Sequence, residues 1–414
     1  MDKYENLHLI TSCEVCGNER LSDVLNLGLH PMCDDLVAVG DSRVCKEYPI
    51  EILFCQNCFT AHQKYQIPKN ELFPQTYHYR SRFTADVLNG MRDLVSSCEN
   101  EFGSLVGKKI LDIGCNDGSL LDMFRLKGAL TFGIEPTGAY EDAEKKGHVV
   151  TNKFFSREVA TDFVEKYGKM DFVSFTNVFA HIEDLREVIE SLKIAIHEGS
   201  VIVIENHYLG SVLGSSQFDT FYHEHPRTYS CMSFIFIAKS LGLDLINVQF
   251  PSRYGGNIRV YLGKSLQPLK NEQIEEVLAR EKQFENQFAL MNKKIDQWKK
   301  VKNKFVSEYT KGGKKLKAKA FPGRAAILVK LLSLSEKEIE CVYEKPGSMK
   351  IGHYLPGTRI PIFSDDKLFI EAHKDEVIFN LAWHIHGEIK KYLTEHGLTG
   401  ELVDILSKDD IQIT

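Results

Sequence analysis

The sequence predicts an α/β protein whose central part is a doubly wound, mostly parallel sheet. Three observations support this prediction. Short apolar runs alternate with amphipathic helical stretches through the middle of the chain. The first run, in "KKILDIGCNDGSLLDMFRLKG", leads through a glycine turn directly into a helix. The later runs "ALTFGIEP", "MDFVSFTNVFAHI" and "GSVIVIENHYLG" end in polar residues, as strands do where an α/β sheet binds a ligand.

Length and composition limit the class of protein. The 414 residues are enough for two or three domains, and 43% apolar with 26% charged residues is typical of a globular chain. The net charge of −6 does not indicate a nucleic acid partner. We find neither a signal sequence nor an apolar run of about 18 residues, and therefore expect a cytoplasmic protein without a membrane partner. Nothing signals a protein partner, so a monomer is expected.

Residues 1–75 contain two C-x-x-C pairs, "CEVC" and "CQNC". Two such turns can place four thiolates around one zinc ion. The predicted ligands are Cys13, Cys16, Cys55 and Cys58. The alternatives are two unrelated cysteine pairs or a redox-active pair. Because four thiolates leave no open coordination position, the predicted role of zinc is structural. Cys33 and Cys45 lack this spacing and are expected to be packing thiols.

The turn after the first strand of the sheet reads D-x-G-C-x-x-G, not the G-x-G-x-x-G of dinucleotide-binding proteins. The backbone at Gly114 and Cys115 can approach a small ligand closely, as an adenosyl amino acid requires. Glu135 ends the next strand about 20 residues on, where a carboxylate can accept hydrogen bonds from ribose hydroxyls. These features favour S-adenosylmethionine (SAM) over NAD, and a purely structural turn is the other alternative. The further predicted cofactor contacts are Asp112, Asn116 and Asn177.

Beyond residue 265, we expect a long helix followed by a second, Rossmann-like α/β domain. One apolar stripe on a charged helix predicts a packing face. Its members are Phe284, Phe288, Met291, Ile295, Trp298, Val301 and Phe305. The apolar runs "AILVKLL", "IECVYEK", "RIPIF" and "EVIFNLAW" resemble strands. The basic stretch "KGGKKLKAK" from Lys311 to Lys319 is expected to be a solvated linker.

The stretch "FDTFYHEHPRTYS" places four ionisable groups in a row, at positions 222–225. Its flanking aromatic residues argue against a freely solvated loop. A row with two histidines and a glutamate can also bind a metal ion, and this alternative stays open. His181 follows the third strand of the sheet, at the edge where a substrate is expected. A single histidine is as often structural, and both readings are kept.

Several motifs together resemble the sugar C-methyltransferases. They are the two cysteine pairs, "DIGCNDGSLL", "GIEP", "NVFAHIED", "QFDTFYHEHPRTYS", "YGGNIRVY" and "GHYLPGTRIPI". This family methylates C-3 of nucleotide-linked 4-keto-6-deoxy sugars with SAM. The resemblance extends nearly end to end and implies a zinc-binding domain (1–75), a methyltransferase domain (76–265) and a C-terminal Rossmann-like domain (266–414).

The resemblance also implies roles for individual residues. The implied catalytic residues are His225, Tyr222, Glu224, His181 and Tyr79. The implied substrate-binding residues are Tyr77, Ser81, Tyr254, Asn257 and Arg259. His207, in "ENHYLG", departs from the family, where an uncharged residue is common, and is expected to add a polar group near the substrate. The stretch "FPGRAAI" departs from the family's G-x-G-A-x-x-K turn, because the first glycine and the lysine are missing. Arg324 lies nearby as a possible substitute.

Methylation of carbon requires a nucleophilic carbon, which an enolate next to a ketone provides. The site then needs a base and a hydrogen-bond donor for the enolate oxygen. We assign His225 as the base and Tyr222 as the donor, with Tyr79 as the leading alternative donor, and Glu224 as the group that orients a histidine. Two other functions stay open at this point: an O- or N-methyltransferase on a related sugar, and a binding protein whose catalytic site is no longer used.

Overall fold

The structure is a computed structural model that describes residues 6–73, 80–83, 85–264, 269 and 271–412. It divides into two compact units, each built from separate stretches of the chain. Unit 1 comprises Met1–Ser22, Leu53–Val212 and Glu224–Glu285, and unit 2 comprises Asp23–Ile52, Leu213–His223 and Asn286–Thr414. Contacts therefore group parts of the N-terminal segment with both units, and the division into three consecutive domains stays a prediction.

The secondary structure elements are numbered in chain order. The strands are β1 (His8–Leu9), β2 (Leu21–Pro31), β3 (Val37–Ala38), β4 (Glu47–Cys55), β5 (Ala61–Gln63), β6 (Tyr65–Gln66), β7 (Lys109–Ile113), β8 (Leu130–Ile134), β9 (Val149–Thr151), β10 (Met170–Thr176), β11 (Ile196–His207), β12 (Arg227–Thr228), β13 (Asp244–Gln249), β14 (Asn257–Gly263), β15 (Leu316–Lys319), β16 (Ile339–Glu344), β17 (His353–Tyr354), β18 (Ile362–Ser364), β19 (Ile378–Asn380) and β20 (Leu402–Asp404).

The α-helices are α1 (Lys69–Leu72), α2 (Ala85–Phe102), α3 (Ser119–Leu126), α4 (Tyr140–Lys145), α5 (Arg157–Tyr167), α6 (Leu185–Ala195), α7 (Leu209–Gly214), α8 (Cys231–Leu241), α9 (Asn271–Glu281), α10 (Phe284–Tyr309), α11 (Ala325–Leu331), α12 (Asp365–Glu371) and α13 (His386–Glu395). Short 3-10 helices span Ser81–Phe83, Phe179–His181, Phe218–Thr220, Arg253–Gly255, Trp383–Ile385 and Asp409–Ile411. Among the described residues, we find no helix that is both long and apolar enough to cross a membrane.

Unit 1 is built on a seven-stranded sheet with the order β13-β14-β11-β10-β7-β8-β9. Strands β9, β8, β7, β10 and β11 are parallel, and β14 runs antiparallel to both of its neighbours. The chain proceeds from β7 to one edge and then returns to β10 on the other side of β7. Open α/β sheets bind ligands at the carboxyl ends of the strands where this reversal occurs. The predicted doubly wound sheet is confirmed.

Helices cover both faces of this sheet, which explains why its strands read as nearly continuous apolar runs. One apolar core includes Leu94, Phe124 and Val203, and the other includes Val173, Leu192 and Phe234. Helix α8 begins at a capping box, in which the Ser230 and Ser233 side chains each accept the other residue's N–H. This cap fixes the chain direction just after the row at positions 222–225.

Unit 2 contains a five-stranded parallel sheet with the order β18-β16-β15-β19-β20. Two expectations for this region are wrong. The run "AILVKLL" forms helix α11 and not a strand. The first five residues of this helix, Ala325 to Val329, are all buried, so the sequence shows no alternation of apolar and polar residues with a helical period there. The basic stretch is not a solvated linker throughout, because Leu316–Lys319 forms the central strand β15. The Lys319 ammonium is buried there, 3.0 Å from the Asp365 carboxylate.

The expected long helix is divided into α9 and α10. Five residues of the predicted stripe are buried: Phe284, Phe288, Met291, Ile295 and Trp298. Val301 is 37% exposed, and Val306 is buried in the last turns instead. An α-helix has about 3.6 residues per turn, so an apolar stripe whose steps average fewer residues shifts gradually around the helix axis.

Candidate active site and zinc site

The cofactor turn lies between β7 and α3, at the carboxyl edge of the unit 1 sheet. Gly114 has φ +72°, and its N–H donates to the Ile134 carbonyl at 2.7 Å. A Cβ at this position would lie 2.6 Å from the nearest methyl carbon of Val178. Both the backbone conformation and the space therefore require glycine here. The turn therefore packs directly against Val178, which follows β10, and leaves no room for a side chain at Gly114.

Glu135 is fastened to this turn. Its Oε1 accepts the Thr137 N–H at 2.8 Å and the Thr137 hydroxyl at 2.6 Å, and its Oε2 accepts the Asn116 N–H at 2.9 Å. The carboxylate is 4% exposed. Since a carboxylate offers about four lone-pair positions, one stays available for a ribose hydroxyl. The position and remaining capacity of Glu135 fit the predicted contact with SAM.

Asp112 is buried in β7, opposite Ser174 of β10. Burial, aided by the neighbouring Glu135 carboxylate, raises the pKa of Asp112 to about 7, although the Ser174 hydroxyl opposes this by donating at 2.7 Å. Cys115 is buried beside Gly133, whose missing side chain leaves room for the sulfur. Burial raises the pKa of the Cys115 thiol well above its ordinary value, so this cysteine is a packing group and not a nucleophile.

Two side chains at the end of β10 have buried polar atoms that a cofactor could contact. The Asn177 N–H donates to the Glu205 carbonyl at 2.8 Å, and this residue has φ +56°. Its buried side-chain oxygen and the buried Thr176 hydroxyl have no hydrogen-bond partner within the described part of the chain. On the other side of the turn, the Asn116 side-chain oxygen accepts the Ser81 N–H at 3.0 Å. Unpartnered polar atoms beside a glycine turn are what a bound adenosyl amino acid would satisfy, so the residues fit SAM.

Three histidines converge at the same edge of the sheet. His181 ends a 3-10 helix after β10, His207 ends β11, and His225 precedes β12. The ring centroids of His181 and His225 are 4.8 Å apart, and those of His207 and His225 are 5.5 Å apart. All three belong to unit 1. Sequence positions 181, 207 and 225 thus form one imidazole cluster at the predicted substrate edge.

The ring of His181 has a defined tautomer. Its Nδ1–H donates to the Glu224 carbonyl oxygen at 2.7 Å. Burial lowers the pKa of His181 to about 4, although the carbonyls of Glu224 and Asn177 oppose this. The ring is therefore neutral near pH 7, with its lone pair on Nε2. This bond comes from the Glu224 main chain, so the predicted role of the Glu224 carboxylate as the partner of a histidine stays a prediction. The residue is 8% exposed.

The remaining members of the row have other surroundings. Tyr222 and His223 belong to unit 2. The His223 ring is buried, and its Nε2–H donates to the Tyr48 carbonyl at 3.1 Å. Burial lowers the pKa of His223 to about 4. Within the described ranges, the four cysteines are the one group of side chains close enough to hold a metal ion, so a metal site in the row has no support.

Asn257 and Arg259 lie in a buried polar network around Glu205. The Glu205 carboxylate accepts the Arg259 Nε–H at 2.7 Å and an Asn257 amide N–H at 3.1 Å. Arg259 also donates to the Asp93 carboxylate at 2.9 Å. Both side chains are therefore hydrogen-bonded to carboxylates of the protein, and we do not assign them to substrate binding. Tyr254 lies in the Arg253–Gly255 helix, and Tyr77 and Tyr79 lie outside the described residues.

The four cysteines of the predicted zinc site come together in unit 1. Their sulfurs all lie within 4.8 Å of one another, with Cys13 and Cys58 at 3.4 Å and Cys16 and Cys55 at 3.5 Å. Zn–S bonds of about 2.3 Å in a tetrahedron place the sulfurs roughly 3.8 Å apart, so the cluster fits zinc. Each C-x-x-C pair is closed by a turn. The Gly17 N–H donates to the Cys13 carbonyl and the Phe59 N–H donates to the Cys55 carbonyl, both at 2.8 Å.

Two charged residues, one in each unit, have partners that the sequence alone does not indicate. Arg227 follows His225 by two positions, is fully buried, and contacts the Glu14 carboxylate at 2.5 Å. A buried arginine requires a partner, but the sequence does not show which one. In unit 2, Arg324 donates to the Thr220 hydroxyl at 3.0 Å and lies 3.3 Å from the Asp219 carboxylate. The Arg324 guanidinium is thus engaged inside unit 2.

Comparisons with known proteins agree with this geometry. Family models match residues 13–73 as a zinc binding domain, 82–248 as a methyltransferase domain and 252–403 as a C-methyltransferase C-terminal domain. The C-methyltransferase NovU of Streptomyces niveus is 26% identical over 405 residues, which cover 94% of each chain.

Two solved structures have lower similarity. The magnesium protoporphyrin IX methyltransferase of Synechocystis, solved with bound SAM, is 15% identical with a TM-score of 0.34, over 44% of this chain and 80% of that chain. A SAM dependent methyltransferase of Archaeoglobus fulgidus is 16% identical with a TM-score of 0.34, over 42% and 94% of the two chains.

The full-length relative and the C-terminal family model both concern carbon methylation, and an O- or N-methyltransferase receives no support from them. The zinc-binding and methyltransferase models cover the cysteine cluster and the cofactor turn that the structure shows. The chain therefore belongs to the SAM-dependent C-methyltransferases.

Proposed function

We propose that this C-methyltransferase acts on C-3 of a nucleotide-linked 4-keto-6-deoxy sugar, and that His225 is the base. The substrate class follows from the motifs that resemble the sugar C-methyltransferases, above all "FYHEHPRTYS" and "LPGTRIPI". The observation that carries the proposal is the convergence of His181, His207 and His225 at the carboxyl edge of the sheet that binds SAM.

The residues of the chain supply the proton chemistry. His225 accepts the proton from C-3, next to the C-4 ketone, and the bond electrons form an enolate. Tyr222 or Tyr79 donates a hydrogen bond to the enolate oxygen. SAM supplies an electrophilic methyl group, so the new C–C bond forms at C-3 while the C–S bond breaks and S-adenosylhomocysteine leaves. One such oxygen donor contributes about 10²–10³ in rate.

The neighbours of His225 support its assignment as the base. The His181 Nδ1–H is held by the Glu224 carbonyl, so His181 presents a neutral Nε2 and adds no positive charge next to His225. A positive charge at His181 would oppose the arrival of a proton on the neighbouring ring, and a neutral His181 does not. His207 adds a third imidazole within 5.5 Å, as a polar group that can contact the sugar.

The proposal is tested by mass spectrometry of reactions in heavy water that contain SAM and a panel of nucleotide-linked 4-keto-6-deoxy sugars. We expect a gain of one methyl group on a sugar of this class, with deuterium exchange at C-3 when SAM is left out. Fragmentation should place the methyl on C-3. A methyl on another carbon, or no methyl gain with any member of the panel, would refute the proposed substrate or position.

The base is tested by His225→Ala. Turnover should fall by roughly 10²–10⁴, the usual contribution of a general base, while the Kd for SAM changes little. His197→Ala is the matched control, because His197 also lies in unit 1 but its side chain is 40% exposed beside Asp171. Wild-type turnover in His225→Ala would show that the base is elsewhere.

A further inference from the structure

The Arg227 guanidinium connects the two chain segments that carry the catalytic histidines. Arg227 lies two residues after His225, and its side chain is fully buried. It donates from Nη2 to the Ile182 carbonyl and from both Nη1 and Nη2 to the Glu183 carbonyl at 3.3 Å. These two carbonyls follow His181 directly in the chain. The arginine therefore joins the segment after His181 to the segment after His225.

The same guanidinium makes a further bond on its other side. Its Nε–H donates to the Tyr229 hydroxyl at 3.0 Å, and that hydroxyl donates to the Phe179 carbonyl at 3.4 Å. Phe179 begins the 3-10 helix that ends at His181. Arg227 thus contacts the chain directly after that helix and, through Tyr229, the first residue of the helix.

Glu14 is the counter-charge for this arginine, and it lies inside the first cysteine pair. Its carboxylate is 2.5 Å from Arg227 Nη1. Gln66 donates to the same carboxylate at 2.8 Å, and the His62 ring lies 3.5 Å away. Because Glu14 stands between Cys13 and Cys16, a turn held by zinc also determines where this carboxylate points.

The second cysteine pair reaches the same loop through the main chain. Strand β5, which begins three residues after Cys58, pairs with β12. The Gln63 N–H donates to the carbonyl of Pro226, the residue after His225, at 2.8 Å. The Cys58 carbonyl accepts the hydroxyls of Ser230 at 3.0 Å and Ser233 at 3.2 Å. Both C-x-x-C pairs of the zinc site are therefore connected to residues close to His225. The first pair is connected through Glu14 and Arg227, and the second through strand β5 and the Cys58 carbonyl.

We infer that Glu14 and Arg227 are positioning residues, which transmit the geometry of the zinc site to His181 and His225. The inference rests on the proposed function in that these histidines act on the substrate. It gives the zinc site a role besides stabilising the fold. Glu14, which lies within the first C-x-x-C pair, orients the Arg227 guanidinium, and this guanidinium contacts the segments next to His181 and His225. The expected consequence is that a change at Glu14 lowers turnover without loss of zinc or SAM.

The primary test is Glu14→Gln, which keeps the shape of the side chain and removes its charge. Glu19→Gln is the matched control, because Glu19 is exposed and lies three residues after Cys16, the end of the same C-x-x-C pair. Backbone hydrogen exchange, followed by mass spectrometry, should become at least about tenfold faster at residues 179–183 and 225–229 in Glu14→Gln alone. The ¹⁵N signals of the His181 ring should shift away from the fixed Nδ1–H tautomer.

Arg227→Lys is the second variant. A lysine keeps the charge facing Glu14, but its single ammonium cannot replace the planar fork that reaches two carbonyls and Tyr229. We expect the same faster exchange, with kcat reduced at least tenfold, an unchanged Kd for SAM and stoichiometric zinc in both Glu14→Gln and Arg227→Lys.

The outcomes separate this inference from the proposed function. Unchanged hydrogen exchange and unchanged histidine signals in Glu14→Gln would overturn the inference, as would equal changes in Glu19→Gln. Faster exchange at both segments in a protein whose wild type methylates no sugar of the panel would refute the proposed substrate but support the coupling. Loss of zinc in Glu14→Gln would show that Glu14 serves the metal site and not the loops.

Discussion

Replacing Gly114 with alanine perturbs the cofactor turn in two separable ways. The backbone at this position has φ +72°, where an alanine is strained. The new Cβ would also lie 2.6 Å from one methyl carbon of Val178 and 2.8 Å from the other. Ordinary contacts begin at 3.4 Å, so one partner must move by about 0.8 Å. Val178 directly follows Asn177, so this displacement reaches both sides of the predicted cofactor site.

The expected size of the effect follows from these two contributions. The left-handed conformation costs an alanine about 1–2 kcal/mol, and an overpacked contact costs about 1–3 kcal/mol more. Gly107→Ala isolates the first contribution, because Gly107 has φ +74° and no atom lies within 4 Å of its Cβ position. The free energy of unfolding should therefore fall by about 1–3 kcal/mol more in Gly114→Ala than in Gly107→Ala.

Urea unfolding measures the stability difference, and isothermal titration calorimetry measures the affinity for SAM. If about 1.4 kcal/mol of the clash is relieved by moving the turn out of its binding position, the Kd for SAM rises about tenfold. The double variant Gly114→Ala with Val178→Ala should recover most of this loss. Equal stability losses in the two glycine variants, together with wild-type affinity for SAM in Gly114→Ala, would refute the argument from close approach.

Three further predictions concern the metal site, a buried ion pair and a buried histidine. Cys13→Ser or Cys55→Ser should lose zinc, measured by plasma mass spectrometry, and lower the Tm; stoichiometric zinc in both variants would contradict a four-cysteine site. Lys319→Met should cost about 3–5 kcal/mol in urea unfolding because it leaves the buried Asp365 carboxylate with the Tyr392 hydroxyl but without its counter-charge, and adding Asp365→Leu should recover part of the loss; a cost below about 1 kcal/mol would contradict this. Burial lowers the pKa of His30 from 6.5 to about 4, so the unfolded chain binds this proton first. His30 alone should lower the free energy of unfolding by about 3 kcal/mol from pH 6.5 to about 4, in addition to the contributions of His181 and His223. His30→Gln should flatten this dependence, and an equal slope in wild type and variant would refute it.

The sequence was a good guide wherever the relevant contacts are local. The glycine turn, the strand ends with Glu135 and Asn177, and the paired cysteines are each set by residues close in the chain, and the structure brings them together as spacing and strand order require. Helix α11 and strand β15 were misjudged because burial on all sides removes periodicity from the first, and a buried partner, Asp365, permits a lysine in the second.

The partners of charged residues could not be derived from the sequence. Glu14 and Arg227 are 213 positions apart, and long-range contacts such as the pairing of β5 with β12 bring their segments together. Arg259 shows the same limit. A motif suggested a ligand for its guanidinium, and the structure supplies Glu205 from the neighbouring strand β11. A cation in a motif therefore indicates that an anion is needed, but not whether a substrate or the protein provides it.

The row at positions 222–225 shows why adjacency in sequence does not assign a common task. The boundary between the two units falls between His223 and Glu224. Both His223 and His181 are buried, have a pKa lowered to about 4, and donate one N–H to a carbonyl. Their difference lies in the surroundings: His223 packs edge-on against Tyr48, whereas His181 packs against the His225 ring at the carboxyl edge of the unit 1 sheet. A lowered pKa therefore cannot by itself distinguish a structural histidine from one proposed to act on a substrate. What separates the two rings here is the imidazole of His225, whose centroid lies 4.8 Å from that of His181.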